Sequence, residues 1–334
     1  MARSSGPAAA DDLSPSRLLG RLAPEEALRR LELTIVRRLE GFLRGEHLGL
    51  LPGPGTELAE ARLYRPGEDD VRHMDWAVTA RTVEPHVRDV VADRELETWA
   101  LVDLTASMDF GTAAREKRDL AVAAVATVGV LTQRVGDRFG GYVLRGETLR
   151  RWPARSGRLA LYGLLRSLVH EPRSEVPGSG TGQTLDGALA ALASGQPRRG
   201  LRVVVSDFLD SGRTAAGDLT WERGMRRLGV RHQVLAVEVR DPRESQLPDV
   251  GVVQLVDPES GRLLEVDTSR RATREAFEAA ARRRQEQVAS ALRRAGAAHL
   301  VLSTDSDWVV DTARFVLGHR RTAHALHRPR VTVS

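Results

Sequence analysis

The chain of 334 residues contains no cysteine and a single lysine, Lys117. Without cysteine, disulfides, thiolate nucleophiles and zinc–thiolate sites are excluded, and the composition suits a reducing compartment. Aromatic residues make up only 4% of the sequence, which argues against stacking platforms for single-stranded nucleic acid. No stretch approaches the roughly 18 apolar residues of a membrane span, and the N-terminus lacks the apolar segment of a signal peptide. We therefore expect a cytoplasmic protein without a membrane span.

The excess of basic over acidic residues is also small. The 50 basic and 45 acidic residues are interspersed and leave a net charge of only +5, so a one-sided basic stripe for nucleic acid is not indicated. Apart from Lys117 the basic residues are all arginine. A hydrophobic fraction of 41% is sufficient for a sizeable core, and the length suits one large domain with appendages or two domains.

Short apolar runs alternate with helical periodicity from Glu97 onward. This alternation predicts an α/β fold with a mainly parallel sheet and helices on both faces. The predicted strands are 98–103, 138–144, 201–206, 232–239 and 298–302. The predicted helices are 114–134, 157–169, 184–194, 219–228, 270–295 and 306–317. Residues 252–256 and 262–266 predict a hairpin.

The rest of the chain divides around this α/β region. We expect a mobile tail at 1–20, an N-terminal helix with a turn-rich segment at 21–97, the α/β domain at 98–318 and a basic tail at 319–334. The helix is predicted from Ile35, Leu39 and their helically spaced apolar neighbours, and it ends near Gly45. Strand-like runs in the turn-rich segment lie at 57–64 and 86–91.

An oxygen-rich segment follows the first predicted strand of the α/β domain. Asp103 ends that strand, and Thr105 and Ser107 follow at alternate positions. In open α/β sheets ligands bind beyond the carboxyl ends of strands, and an all-oxygen set suits Mg²⁺ or Mn²⁺. The alternative is that these side chains only cap a helix, since Ser, Thr and Asp are common N-cap residues.

Two later loops carry similar side chains. Ser206 and Asp207 end a second β-branched strand, and the glycine-rich loop 178–182 leads to Thr184 at the start of a helix. The residues Gly182-Gln-Thr do not complete a phosphate-binding P-loop, which needs Gly-Lys-Ser/Thr, so we expect no intrinsic ATPase activity. The glycines otherwise indicate a flexible connection to the helix. The predicted metal ligands are Asp103, Thr105, Ser107, Thr184 and Asp207.

The order of these three loops resembles the metal-ion-dependent adhesion site (MIDAS) of von Willebrand factor A domains. That signature consists of D-x-S-x-S, then a threonine, then an aspartate. The present chain departs from it by Thr105 in place of serine, which keeps the hydroxyl. The resemblance implies a Rossmann-like domain with a bound Mg²⁺ or Mn²⁺, whose open position accepts an acidic side chain from a partner.

A second resemblance covers roughly residues 40–210. The segment 64–76, YRPGEDDVRHMDW, followed by Ala80-Arg-Thr82, resembles the hallmark of a bacterial family of unknown function with a von Willebrand A-like domain. The hallmark residues are Tyr64, Pro66, Gly67, Asp70, Arg72, Asp75, Trp76 and Arg81. They form either a recognition surface or an internal salt-bridge knot against the sheet, and we favour the knot because arginine suits buried bidentate ion pairs.

The resemblance implies partnership with a MoxR-type AAA+ ATPase in the assembly or remodelling of protein complexes. We therefore expect a non-enzymatic, divalent-cation-dependent interaction module. One alternative is an Mg²⁺-dependent hydrolase or phosphotransferase that uses the same oxygen cluster, although the sequence places no general base or nucleophile beside it. Another is a structural scaffold without metal.

Overall fold

The computed structural model describes a large part of the chain. The described residues are 33, 35–39, 61–65, 71, 74–82, 84–88, 97–113, 115–132, 137–146, 148–173, 184–209, 212, 214, 217–256 and 263–326. The tail predicted at 1–20, the glycine-rich loop 178–182 and the hallmark residues Pro66, Gly67, Asp70 and Arg72 lie outside them. Within the N-terminal helix, residues 35–39 are helical and Ile35 and Leu39 are fully buried, which confirms their predicted spacing.

Three short elements form the described part of the turn-rich segment. Strands β1 (Ala61–Leu63) and β2 (His86–Arg88) pair antiparallel and flank the helix α1 (Trp76–Thr82). The two strands confirm the predicted strand-like runs. Helix α1 was not predicted. It begins after Asp75, whose Oδ1 accepts the N–H of Val78 at 3.1 Å, a capping bond that satisfies one of the unpaired amides of the first turn.

Strands and helices alternate in the rest of the chain, and most bounds agree with the prediction within three residues. The strands are β3 (Glu97–Asp103), β4 (Arg138–Arg145), β5 (Thr148–Ser156), β6 (Leu201–Ser206), β7 (Gln233–Arg240), β8 (Val252–Val256), β9 (Leu263–Asp267) and β10 (Ala298–Ser303). The helices are α2 (Lys117–Thr132), α3 (Arg158–His170), α4 (Leu185–Gly195), α5 (Glu222–Arg231), α6 (Arg271–Arg294) and α7 (Trp308–Leu326). Strands β8 and β9 form the predicted antiparallel hairpin.

The main sheet has six strands in the order β10-β7-β6-β3-β4-β5. All neighbours are parallel except β4 and β5, which pair antiparallel. From β3 the chain proceeds to β4 on one side, and it later returns to place β6 on the other side. The carboxyl ends of β3 and β6 therefore form a topological switch point, where open α/β sheets bind ligands.

Helices cover both faces of this sheet, so the predicted fold class is confirmed. One face packs against α2, α3 and α7, with core residues such as Val102, Val203 and Val237. The other packs against α4, α5 and α6 around Leu101, Val204 and neighbouring side chains. Because successive side chains of a strand point to opposite faces, Asp103 and Ser206 lie on the α4 side and Asp207 lies on the α2 side.

Besides helix α1, two parts of the structure differ from the prediction. Strand β5 was missed, because it carries three arginines and Pro153 without a regular alternation of apolar and polar residues, a composition typical of an edge strand. Helix α7 continues to Leu326 instead of ending at 317, so the first part of the predicted C-terminal tail is helical. The limits of the predicted domains stay a prediction. In the described part of the chain, no helix is both long and apolar enough to cross a bilayer.

Candidate functional site at the carboxyl edge of the sheet

A carboxylate and two hydroxyls come together directly after β3. Oδ1 of Asp103 accepts two hydrogen bonds from Thr105, one from its backbone N–H at 3.0 Å and one from its hydroxyl at 2.7 Å. The hydroxyl oxygens of Thr105 and Ser107 are 3.4 Å apart. Asp103 is 5% exposed and Ser107 is 1% exposed. Three of the five predicted ligands therefore form one contiguous, largely buried set of oxygens.

The structure distinguishes between ligand candidates and ordinary helix caps. Thr105 precedes a 3-10 helix, Ala106–Asp109, but its side chain makes no capping hydrogen bond there; the hydroxyl is directed to Asp103 instead. Thr184 behaves in the opposite way, because its hydroxyl accepts the N–H of Gly187 at 3.2 Å and caps α4. Helix α4 leads into the parallel strand β6, so its first turn lies at the carboxyl edge, as predicted. No hydrogen bond joins Thr184 to the other four residues within the described chain.

The end of β6 contributes the second carboxylate and a bridging hydroxyl. The hydroxyl of Ser206 donates to Oδ2 of Asp103 at 2.7 Å and accepts the N–H of Phe208 at 2.9 Å. Oδ1 of Asp207 accepts the N–H of Leu209 at 3.0 Å. Phe208 makes this turn with a φ of 52°, an uncommon conformation for a bulky residue that costs about 1 kcal/mol or more. The backbone here is held in a strained turn directly beside both carboxylates.

Lys117 is the partner of Asp207 that the sequence interpretation missed. Its ammonium lies 2.7 Å from Oδ2 of Asp207 and also contacts Oε1 of Glu244, and the lysine is fully buried. It occupies the first residue of α2, where a positive charge is unfavourable to the helix dipole. Burial by itself would lower the pKa of Lys117, but the two carboxylates outweigh it and the pKa lies above its usual value. The signal in the sequence is that this buried position holds the only lysine.

Further bonds tie the neighbouring loops to this centre. Glu244 lies in the 3-10 helix Pro242–Glu244 that follows β7, and its Oε2 accepts the N–H of Asp241 at 3.0 Å. The Asp241 carboxylate accepts the hydroxyls of Thr112 and Thr304, each at 2.6 Å. The loops after β3, β6, β7 and β10 are thus joined through Lys117 and Asp241 into one hydrogen-bonded edge.

The electrostatics of the edge depend on two carboxylates of like charge. Burial, and after it the negative charge of Asp207, raise the pKa of Asp103 to about 6, although hydrogen bonds from Ser206 and Thr105 act in the opposite direction. Burial also raises the pKa of Glu244 in spite of its contact with Lys117. The single ammonium of Lys117 is therefore shared between more than one carboxylate at this edge.

The donor set fits a hard divalent cation in part. Asp103, Thr105 and Ser107 offer carboxylate and hydroxyl oxygens, the donors that Mg²⁺ and Mn²⁺ prefer. In the described residues no three acidic or histidine side chains converge as they would in a carboxylate-rich or histidine-rich metal centre. Asp207 is already held by Lys117 and Leu209. Its carboxylate therefore adds negative charge to the site but offers no open ligand position.

The described hallmark residues are Tyr64, Asp75, Trp76 and Arg81, which lie directly after β1 and in or beside α1. The backbone N–H of Tyr64 donates to the carbonyl of Pro85 at 2.8 Å, and Asp75 is buried as the cap of α1. Trp76, in contrast, is 70% exposed, and Arg81 is exposed as well. The internal position expected for Trp76 is therefore wrong, because its indole faces solvent from the first residue of α1. Asp75 caps α1, and the salt-bridge knot favoured for this segment stays a prediction.

Comparison with known proteins identifies the family. Residues 60–287 match the family described as "Protein of unknown function DUF58". The chain belongs to this family. It is also 49% identical over 302 residues to the uncharacterized protein Rv1480 of Mycobacterium tuberculosis, covering 90% of this chain and 92% of that protein. The uncharacterized protein MAV169 of Mycobacterium avium is 41% identical over 179 residues, which span 53% of this chain and 98% of that protein.

Solved structures with a similar arrangement include two bacterial proteins. The conserved hypothetical protein BatB of Bacteroides thetaiotaomicron has a TM-score of 0.41 and 13% identity, with coverage of 68% of this chain and 99% of that chain. A von Willebrand factor type A protein of Catenulispora acidiphila has a TM-score of 0.39 and 13% identity, with coverage of 67% of this chain and 42% of that chain. The fold class itself rests on the sheet described above.

Proposed function

We propose that this protein is a non-enzymatic interaction module that binds a partner protein at the carboxyl edge of its central sheet, with Mg²⁺ or Mn²⁺ completing the site. The observation that carries the proposal is the bonded set of Asp103, Thr105 and Ser107 at the topological switch point. These residues would hold the cation, and an acidic side chain of the partner would take an open coordination position. The capping threonine Thr184 keeps a second lone pair for the same purpose, and Asp207 adds negative charge.

The partner in this proposal is a MoxR-type AAA+ ATPase, as the family resemblance implies, and the shared task is the assembly or remodelling of protein complexes. A rigid site suits this role, since the loops around it are joined by buried hydrogen bonds that reduce the cost of ordering on binding. The alternatives are an Mg²⁺-dependent hydrolase or phosphotransferase that uses the same oxygen cluster and a structural scaffold without metal. The groups bonded to Asp103, Thr105, Ser107 and Asp207 in the described residues include no histidine, and Lys117 is engaged by two carboxylates, so support for a base or nucleophile is weak.

Affinity capture of the AAA+ protein encoded by the same organism tests the proposal. The tagged full-length chain, wild type or Asp103→Ala, is incubated with the purified ATPase in Mg²⁺ or in EDTA. We expect capture by wild type in Mg²⁺ only and no capture by Asp103→Ala. The matched control is Asp305→Ala, which removes an exposed carboxylate beyond β10, the edge strand on the far side of β7, and should bind normally.

Two results would contradict the proposal. Capture that persists in EDTA and in Asp103→Ala would remove the cation from the interaction. Capture that is lost in a well-folded Trp76→Ala variant, while Asp103→Ala binds, would move the interaction surface to the hallmark segment.

A further inference from the structure

Lys117 occupies a position that is costly in two respects: its ammonium is fully buried, and the residue stands in the first turn of a helix, where cations are disfavoured. It is also the only lysine in a chain whose other Lys/Arg positions are all arginine. A buried lysine charge is tolerated only when it is paired and hydrogen-bonded. The pairing here is with Asp207 and Glu244.

The geometry of this pairing explains why arginine would not serve. An ammonium is a compact point charge, whereas a guanidinium is a broad planar fork. Lys117 contacts one oxygen from each of two carboxylates, Oδ2 of Asp207 and Oε1 of Glu244, and it does so from a position without solvent access. A metal ion bound at this position would likewise be a compact positive charge between two carboxylates.

We infer that Lys117 is a built-in cation of the site, which occupies Asp207 and thereby lowers the affinity of the carboxyl edge for a divalent ion. This inference rests on the proposed cation site and adds a residue that sets its affinity. With Lys117 in place, Asp207 is not an open ligand, and a divalent ion at Asp103, Thr105 and Ser107 experiences the repulsion of a nearby positive charge. The site is thereby tuned to bind its cation weakly and to depend more on the partner's carboxylate.

The decisive variant removes the ammonium without changing the net charge of the cluster. Lys117→Met together with Glu244→Gln deletes one positive and one negative charge, and the glutamine can still accept the N–H of Asp241 through its amide oxygen. Asp207 then becomes available to an added ion. The probe is Mn²⁺ alone, titrated calorimetrically into the full-length chain. We expect Mn²⁺ to bind the double variant at least about tenfold more tightly than wild type, since the released carboxylate of Asp207 adds a charged ligand, and the number of charged ligands sets the affinity of such sites.

A third substitution shows whether the gain depends on Asp207. Adding Asp207→Asn to the double variant should remove the gain, because the released ligand is deleted. If the affinity of the double variant equals that of wild type, or if the gain survives Asp207→Asn, the inference is overturned.

A comparison of two single variants tests the inference if the double variant does not fold. Asp207→Asn alone, in the presence of Lys117, should weaken Mn²⁺ binding without abolishing it, whereas Asp103→Ala abolishes binding; an equal loss in both would contradict the inference. Failure of the proposed function is a different result. In that case wild type binds no Mn²⁺ and captures its partner in EDTA, while the double variant still gains Mn²⁺ binding through Asp207.

Discussion

At the scale of single residues, the role of each hydroxyl at the carboxyl edge depends on the group that it contacts. Thr105 and Thr184 have the same chemistry and both precede a helix, yet one donates to a carboxylate and the other caps its helix. Sequence spacing alone does not separate these roles, because both are consistent with a threonine at the start of a helix. The structure separates them through the hydrogen bonds that each hydroxyl makes.

Replacement of Thr105 tests this assignment. Thr105→Val keeps the shape but removes the hydroxyl that donates to Asp103 at 2.7 Å, so Oδ1 keeps only the backbone N–H of Thr105. We expect the free energy of unfolding in EDTA to fall by about 1.5–3 kcal/mol, as for a hydrogen bond to a charged group. Urea denaturation measures this. Thr105→Ser should retain wild-type stability, and a valine variant as stable as wild type would show that the bond contributes nothing.

His232 makes stability depend on pH. Burial, followed by the positive charges of Arg202, Arg231 and Arg199, lowers the pKa of His232 to about 4. In the unfolded chain the pKa is about 6.5, so between pH 6.5 and 4 the unfolded state binds more protons than the folded state. The stabilisation is complete above pH 6.5 and is lost as the pH falls towards 4.

His232→Gln should therefore flatten the acid limb of the stability profile. We expect wild type to lose roughly 2 kcal/mol more than the variant between pH 6.5 and 4, since each unit of pKa difference is worth about 1.4 kcal/mol. Chemical denaturation over this range measures the difference. His170→Gln, at the exposed end of α3, is the control. Identical slopes in wild type and His232→Gln would contradict the assignment.

At the scale of elements, the start of α2 positions Lys117. The backbone N–H of Lys117 donates to the carbonyl of Phe110 at 2.9 Å, and Gly111 follows Phe110 in a tight approach. A Cβ on Gly111 would lie 2.5 Å from the carbonyl oxygen of Arg115 and 2.6 Å from the Cα of Glu116. Both are backbone atoms, so the segment has to move to accommodate any side chain.

Gly111→Ala tests the importance of this approach. We expect a loss of about 1–3 kcal/mol in the free energy of unfolding, as for other overpacked sites, together with a change in Mn²⁺ affinity because Lys117 is displaced. Gly163→Ala is the matched control. Its Cβ would have only one neighbour, an atom of Trp152 at 3.9 Å, and alanine favours the interior of α3. Equal stability of the two variants would show that the turn adapts without cost.

The elements also show what the sequence could and could not predict. The parallel strands β3, β6 and β7 were located within about one residue because buried parallel strands form nearly continuous apolar runs. Strand β5 and helix α1 were not predicted. Strand β5 has the polar pattern of an edge strand, and helix α1 depends on a single capping aspartate. The oxygen cluster after β3 is local in sequence and was found. The pairing of Lys117 with Asp207 spans 90 residues, and no spacing rule reports such a contact.

At the scale of the whole molecule, the hallmark segment presents a second surface. Trp76 is 70% exposed on α1, so its truncation removes little buried area. We expect Trp76→Ala to change the free energy of unfolding by less than about 0.5 kcal/mol, as for an ordinary surface position. Thermal or urea denaturation measures this. A loss of more than about 2 kcal/mol would instead support the internal salt-bridge knot that the sequence favours for this segment.

The proposed divalent-cation site at the carboxyl edge of the sheet is tested by thermal denaturation of the metal-free chain titrated with Mn²⁺. Binding to the folded state alone stabilises by RT ln(1 + [L]/Kd), or about 2.7 kcal/mol at one hundred times Kd. We expect a midpoint that rises with Mn²⁺ for wild type and for Asp305→Ala, and that stays constant for Asp103→Ala. Superimposed melting curves for wild type with Mn²⁺ and with EDTA would contradict it.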